Sequence, residues 1–443
     1  MSNPKHIGEF LKSKAAQLLN LYAAKRRLTS THESFTSSQL NLRAGYQIST
    51  PPVGLDVSGL LKKRLMFPLS VRDSIDHFKK RHQLDLIQDA LLSTLPFYPN
   101  ATQTHLGEVV RTVVDEKTGC YINEFHVVPQ MEIPESGRKH VVFIHGYGAG
   151  LGFFIKNIEE ITKRKPNWDI HAIDLPGYGC SSRPDFPYQV DFSNYKKIEN
   201  WFAEKLERWF DVRGLNQLDT VVIAHSMGAY ISCVVNIRRP DLFNKLLLVS
   251  PAGIYHSAKD TVVSTAPDWF QKLWNQNISP FSLVRLAGPL GSKLVSGWSN
   301  RRFSKDNSLL GPQEQKLMHQ YTYAIFNAKG SGEYMLNYFL APGGVPRHPM
   351  LQRIRKLRCD TVWMYGSHDW MDKAGGFKAC QKLKTLHHLN GESLSATCHV
   401  IEHSGHHIYL DNFKEFNNLV IQELEAFEKS ALQLSSLRQN AIS

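Results

Sequence analysis

The sequence predicts an α/β protein, a mostly parallel central sheet with helices on both faces, carrying a helical lid insertion. Three observations predict it. Short apolar runs bounded by glycine alternate with helix-length amphipathic stretches, which is the pattern of βαβ units. The alternation lapses between about Ile254 and Leu357 and then resumes, so a separate segment lies over the sheet. With 443 residues, 42% of them hydrophobic, the chain can bury a large core. No run approaches the roughly 18 consecutive apolar residues of a membrane-crossing helix.

Residues 1–55 carry Lys5, Lys12, Lys14, Lys25, Arg26, Arg27 and Arg43 against only Glu9 and Glu33. Leu11, Leu18, Leu19 and Leu21 make much of a helix face apolar, and a Ser/Thr-rich run follows from Thr29 to Ser38. Basic, hydroxyl-rich, acid-poor and amphipathic is the pattern of a mitochondrial transit peptide, or of a helix lying on a membrane surface. The expected location is the mitochondrion, at the matrix side of the inner membrane. Residues 56–105 read as a helical extension. From Leu106 the period changes to two: Val109 to Val114 and Cys120 to Val128 flank the hairpin signal Asp115-Glu-Lys-Thr-Gly119. These open the first part of the core, 106–253, with further strands at Val141 to Ile144, Ile170 to Ile173, Thr220 to Ala224 and Leu246 to Val249. Helical stretches such as Tyr195 to Val212 and Met227 to Arg238 lie between them.

The insertion, 254–357, is rich in aromatic and basic residues: Trp269, Phe270, Lys272, Trp274, Phe281, Arg285, Lys293, Trp298, Arg301, Arg302 and Phe303. Such a mixture suits a membrane interface. The second part of the core, 358–430, holds strands at Thr361 to Tyr365 and His399 to Ile401, and 431–443 is a tail. The six cysteines are widely spaced and form no CxxC pair, so they read as reduced thiols rather than a zinc site. Lys and Arg exceed Asp and Glu by 52 to 40, a net charge of +12. That excess favours anionic partners. No nucleic-acid module is recognisable, so an anionic lipid surface is the expected partner.

Four motifs carry chemistry. Ala224-His-Ser-Met-Gly228 lies between a strand and a helix, the context of a nucleophile elbow that lifts Ser226 above the sheet. Alanine stands where glycine is usual. His145-Gly-Tyr-Gly148 directly follows a strand and would present a backbone N–H to an oxyanion; Tyr147 is the candidate donor, and Met227, after the nucleophile, the other. Tyr365-Gly-Ser-His-Asp369 places an acid at a strand's end, with Asp372 as a rival. Ser404-Gly-His-His-Ile-Tyr-Leu-Asp411 supplies the base, His406, with His403 and His407 as alternatives. The order of oxyanion loop, Ser, Asp and His is that of an α/β-hydrolase fold. The implied chemistry is attack by Ser226, proton transfer to His406, and an acyl-enzyme hydrolysed by water. It needs no cofactor and no metal, and the absence of an EF-hand loop predicts calcium-independent turnover.

With these motifs stand Asp174-Leu-Pro-Gly-Tyr-Gly179, Ser250-Pro-Ala-Gly253, Leu283-Val-Arg-Leu-Ala-Gly-Pro-Leu-Gly291 and Gly405-His-His-Ile-Tyr-Leu-Asp411. On them the chain, from about Leu106 to Phe427, resembles the α/β-hydrolase lipid enzymes grouped with the vertebrate lipase co-activator and its N-acyl phospholipid lipase relative. It looks most like the fungal branch, with its mitochondrial cardiolipin-specific deacylase and lysophosphatidate acyltransferase-type proteins. The resemblance implies a phospholipid substrate, cardiolipin first, cleaved to monolysocardiolipin and a fatty acid. The co-activator branch has lost its serine, whereas this chain keeps Ser226. The family's HX4D motif reads here as His406 and Asp411 and is linked to acyl-CoA-dependent acylation of lysophosphatidate. One imidazole serves one partner geometry, and Ser226 already needs His406. Acyl transfer and a non-catalytic, lipase-regulating role are the alternatives; protein partners are unreadable.

Overall fold

The computed structural model describes residues 69–132, 137–187, 191–255, 271, 274–303, 310–342, 344–391 and 393–442. The expected targeting segment, 1–55, and the aromatic or basic residues Trp269, Phe270 and Lys272 lie outside the described residues.

Two short helices come first, α1 (Val71–Lys80) and α2 (Leu84–Leu92). Ser70 caps α1: its hydroxyl accepts from the Asp73 N–H, and the Asp73 carboxylate accepts the Ser70 N–H. The predicted hairpin forms as β1 (His105–Asp115) and β2 (Cys120–Pro129), paired antiparallel. Then follow β3 (Lys139–Ile144), α3 (Ile155–Arg164), β4 (Trp168–Ile173), α4 (Tyr195–Arg213), β5 (Thr220–His225), α5 (Met227–Arg238) and β6 (Lys245–Val249). After the insertion come β9 (Asp360–Gly366), α10 (Lys373–Asn390), β10 (Ala396–Ile401), α11 (Ile408–Asp411) and α12 (Phe413–Ile442). The helix α12 thus runs through what the sequence suggested was a separate tail.

The eight-stranded sheet has the order β1-β2-β4-β3-β5-β6-β9-β10, antiparallel only where β2 meets β1 and β4. Alternation along each strand divides the core into two. Val142, Ile144, Val222, Leu246, Leu248 and Trp363 pack beneath α4, α5 and α10. Val141, Phe143, Val221, Ile223, Leu247 and Met364 pack beneath α3 and α12 on the other face. Strands buried on both faces read as continuous apolar runs, which is why they were visible in the sequence.

The insertion between β6 and β9 builds a cap: α6 (Phe281–Leu286), α7 (Gly291–Phe303), α8 (Pro312–Asn327), α9 (Leu336–Phe339) and a two-residue hairpin of β7 (Leu340–Ala341) and β8 (Val345–Pro346). Proline at the first helical position and Glu314, which accepts the Gly311 N–H at 2.7 Å, start α8 cleanly. Arg285 of α6 reaches the carbonyls of Phe326 and Ala328 at the end of α8 and the carboxylate of Glu333. Among the described residues, the aromatic side chains expected at an interface are buried or partly buried. Phe281 and Phe303 are buried, and Trp274 and Trp298 are partly buried.

Candidate active site

Every candidate residue falls just past the C-terminal end of a parallel strand, the edge where open α/β sheets place their ligands. Ser226 follows β5 with φ 53° and ψ −113°, a conformation costing about 1–3 kcal/mol for a non-glycine residue. The surrounding bonds hold it there: the Ser226 N–H donates to the Val249 carbonyl at 2.9 Å, and its carbonyl accepts from Ala252 at 3.1 Å. Gly228 is a packing necessity. A Cβ there would come within 2.4 Å of the His145 carbonyl oxygen. Ala224 causes no disruption, since its methyl is buried in the core on the side of α5.

The Ser226 hydroxyl donates to His406 Nε2 at 3.0 Å, and His406 Nδ1–H donates to Asp369 Oδ1 at 3.1 Å. The same Asp369 oxygen accepts the Met371 N–H at 3.0 Å. Burial works against ionisation of Asp369, but His406, the Met371 N–H and the Ser250 hydroxyl outweigh it and hold the carboxyl below its ordinary value. The rival, Asp372, instead caps α10 by accepting the Ala374 N–H at 2.9 Å. It is His406, not His403 or His407, that stands on the serine.

The loop after β3 is arranged by His145. Its Nδ1–H donates to the Gly146 carbonyl at 2.8 Å, and its Nε2 accepts the Leu175 N–H at 2.9 Å, which fixes the tautomer. In a trans peptide the C=O and the following N–H point in opposite directions. Holding the Gly146 carbonyl therefore turns the Tyr147 N–H away from the imidazole. A Cβ on Gly146 would lie 2.9 Å from the Ser226 Cβ and 2.8 Å from His225 Nδ1, so the loop touches the elbow only with glycine there. Met227 opens α5, and first-turn N–H groups have no intrahelical partner.

Sequence reasoning missed several supports. His225 Nε2–H donates to the His406 carbonyl at 3.0 Å, and burial pushes its pKa far down, so it stays neutral. Asp174 accepts the N–H groups of Leu151 and Cys180 at 2.8 Å each and ties the oxyanion loop to the next one. Trp370 lies 5.0 Å from the His406 ring, and Gly344 of the β7–β8 turn approaches its other edge. Asp411 supports the loop that carries His406. Its Oδ2 accepts the Gly405 N–H at 2.9 Å and faces Arg302 of the cap at 3.6 Å. The HX4D pair is thus a backbone clamp beside His406, not a His–Asp dyad. Only the spacing signalled it.

Glu124, His126 and His171 gather ligand-type atoms within 4.8 Å of one another, near the opposite end of the strands. They do not fit a metal. Arg213 lies 3.2 Å from Glu124 and 3.0 Å from His126, and the two imidazoles are stacked at 4.4 Å and 12°, so their lone pairs run parallel rather than converge. The cluster is a hydrogen-bonded charge network.

The alpha/beta hydrolase fold family model matches residues 139–413, the span holding all four motifs. The chain belongs to the α/β-hydrolase family. This α/β-hydrolase is 30% identical over 304 residues to a 1-acylglycerol-3-phosphate O-acyltransferase of Arabidopsis thaliana, covering 66% of this chain and 68% of that one. It is 28% identical over 293 residues to the (lyso)-N-acylphosphatidylethanolamine lipase of Homo sapiens, covering 65% and 79%. A human 1-acylglycerol-3-phosphate O-acyltransferase is 28% identical over 292 residues, covering 64% and 77%. These relatives place the α/β-hydrolase in the lipase co-activator and N-acyl phospholipid lipase group. Two solved structures share the fold: carboxylesterase CesB from Bacillus subtilis (TM-score 0.50, 14% identity, 78% of this chain and 98% of that one) and a membrane phospholipase A (0.50, 17%, 79% and 91%).

Proposed function

We propose that this α/β-hydrolase deacylates a phospholipid, with cardiolipin as the substrate and monolysocardiolipin and a free fatty acid as the products, at the matrix face of the mitochondrial inner membrane. The observation that carries the reading is the continuous relay from Ser226 through His406 to Asp369 in a chain of this lipid-acting group. His406 takes the hydroxyl proton as Ser226 Oγ attacks the ester carbonyl. The tetrahedral oxyanion is held by the N–H groups of Tyr147 and Met227, at the positive end of α5. His406 then hands its proton to the departing lysophospholipid alkoxide. Water, deprotonated by His406, attacks the acyl-enzyme and releases the fatty acid. The net charge of +12 and the acid-poor N-terminal segment support a multiply anionic lipid and the mitochondrial location.

Acyl transfer is the second reading, favoured by the names of the plant and human acyltransferase relatives. It shares the acyl-enzyme but takes the acyl group from acyl-CoA, releasing the CoA thiol, and passes it to a lysophosphatidate hydroxyl in place of water. Lipid mass spectrometry on cardiolipin-containing liposomes, with wild type and Ser226→Ala and without acyl-CoA, separates the two. Expected is lysolipid formation by wild type, falling about a thousandfold or more in the variant. Turnover only with acyl-CoA and lysophosphatidate would replace hydrolysis by transfer.

A further inference from the structure

Among the described residues, the large apolar side chains left exposed at the cap are leucines. Leu283, Leu286 and Leu290 are 46%, 62% and 56% exposed on α6 and the turn that follows it. Helix α1 lies alongside that turn. Its Ser74 hydroxyl donates to the Pro289 carbonyl at 2.6 Å, and His77 Nδ1 meets the Ser292 hydroxyl at 2.8 Å. With Ser74 and His77 facing the cap, Val71 and Ile75 are left 52% and 39% exposed. Five of the twelve large apolar side chains exposed among the described residues thus belong to these two neighbouring elements. Scattered exposed apolar residues mean nothing, but a concentration on adjoining elements marks an interaction surface.

The charge around it is predominantly positive. Residues 274–303 contain Arg285, Lys293, Arg301 and Arg302 and no Asp or Glu. Arg285 and Arg302 turn inward to Glu333 and Asp411, while Arg301 is exposed and Lys293 is partly so. Helix α1 itself carries Arg72, Lys79 and Lys80 against Asp73 and Asp76. Apolar side chains beside a surplus of positive charge complement a bilayer with anionic headgroups.

The position suits a lipid enzyme. Helix α6 begins with Phe281, whose ring stacks on Tyr147 of the oxyanion loop at 5.2 Å. Ser226 and His406 retain only 6% and 7% exposure, so a phospholipid must enter past the cap. We infer that Val71, Ile75, Leu283, Leu286 and Leu290 form the face by which this protein docks on an anionic bilayer, bringing the α6 edge of the cap against the lipid. The inference rests on the phospholipid reading for its purpose, though not for its test.

The test is co-flotation of the full chain with vesicles of phosphatidylcholine, with and without phosphatidylglycerol, alongside hydrolysis of a soluble monomeric ester. The double variant Leu286→Glu/Leu290→Glu is expected to lose roughly tenfold or more in vesicle binding while keeping wild-type melting and soluble-ester turnover. Leu389→Glu, an exposed leucine remote in sequence on α10, is expected to bind as wild type does. Lys293→Glu/Arg301→Glu is expected to lose only the preference for anionic vesicles. Equal flotation of Leu286→Glu/Leu290→Glu and wild type overturns the inference, even if lipid cleavage is seen. Loss of flotation in a protein that cleaves no lipid keeps the surface and sinks the function. A polarity-sensitive dye on Leu286→Cys must shift to the blue only when vesicles are added. A dye already shielded in their absence means that a second copy or residues 1–68 cover the face, and the inference falls.

Discussion

Asp369 and Asp372 are three residues apart and do unrelated work. Asp369 steadies the imidazole, while Asp372 starts a helix. Asp369→Asn should lower kcat by about ten-thousandfold, because an amide stabilises the wrong tautomer of His406 and cannot balance the imidazolium. Asp372→Asn should leave turnover near wild type, since asparagine caps helices almost as well. Kinetics on a soluble ester check both. At this scale the site was legible where residues are close in sequence or follow a strand in a known order: Ser226, His406 and the loop of Tyr147. It was illegible where support arrives from a distant segment. No spacing rule shows that His225 holds the His406 carbonyl, or that Arg302, over a hundred residues upstream, faces Asp411.

The elements divide in the same way. The central strands β3, β5 and β6 could be read because burial on both faces leaves their middles apolar, and α5 began and ended where its pattern said. The cap could be bounded but not drawn. Its helices are tied at their ends as well as packed through buried residues such as Met318, Tyr321 and Ile325 of α8, and among the described residues its exposed large apolar side chains are not the aromatic ones. Arg285 shows the dependence. It joins α6 to the last carbonyls of α8 and to Glu333, whose side chain is only 3% exposed. Arg285→Ala should destabilise the fold by about 2–4 kcal/mol, because it leaves a nearly buried carboxylate without its cation. Chemical denaturation measures this directly. Arg285→Lys should recover only part of it, since an ammonium cannot reach two carbonyls and a carboxylate together.

Across the whole molecule, buried histidines set the response to acid. Burial, with His171 nearby, pushes His140 down to about 4, and burial with His77 nearby pushes His319 down to about 3. Burial also lowers His145, His171 and His225. In the unfolded chain each titrates near 6.5, so below that value the unfolded state binds protons that the folded state refuses. Stability is therefore full above about pH 6.5 and falls as the pH drops. His140 ceases to contribute to the slope near pH 4 and His319 near pH 3. Melting temperatures at pH 7.5 and pH 5 should differ accordingly, and a flat profile over that range would contradict the assignment. The packing of α1 against the Pro289 turn also bears on how the chain tolerates N-terminal trimming. A protease that trims the chain anywhere before Leu69 removes nothing the cap touches through Ser74 or His77. One that cuts beyond Lys80 takes away the helix that Ser74 and His77 bond to the cap.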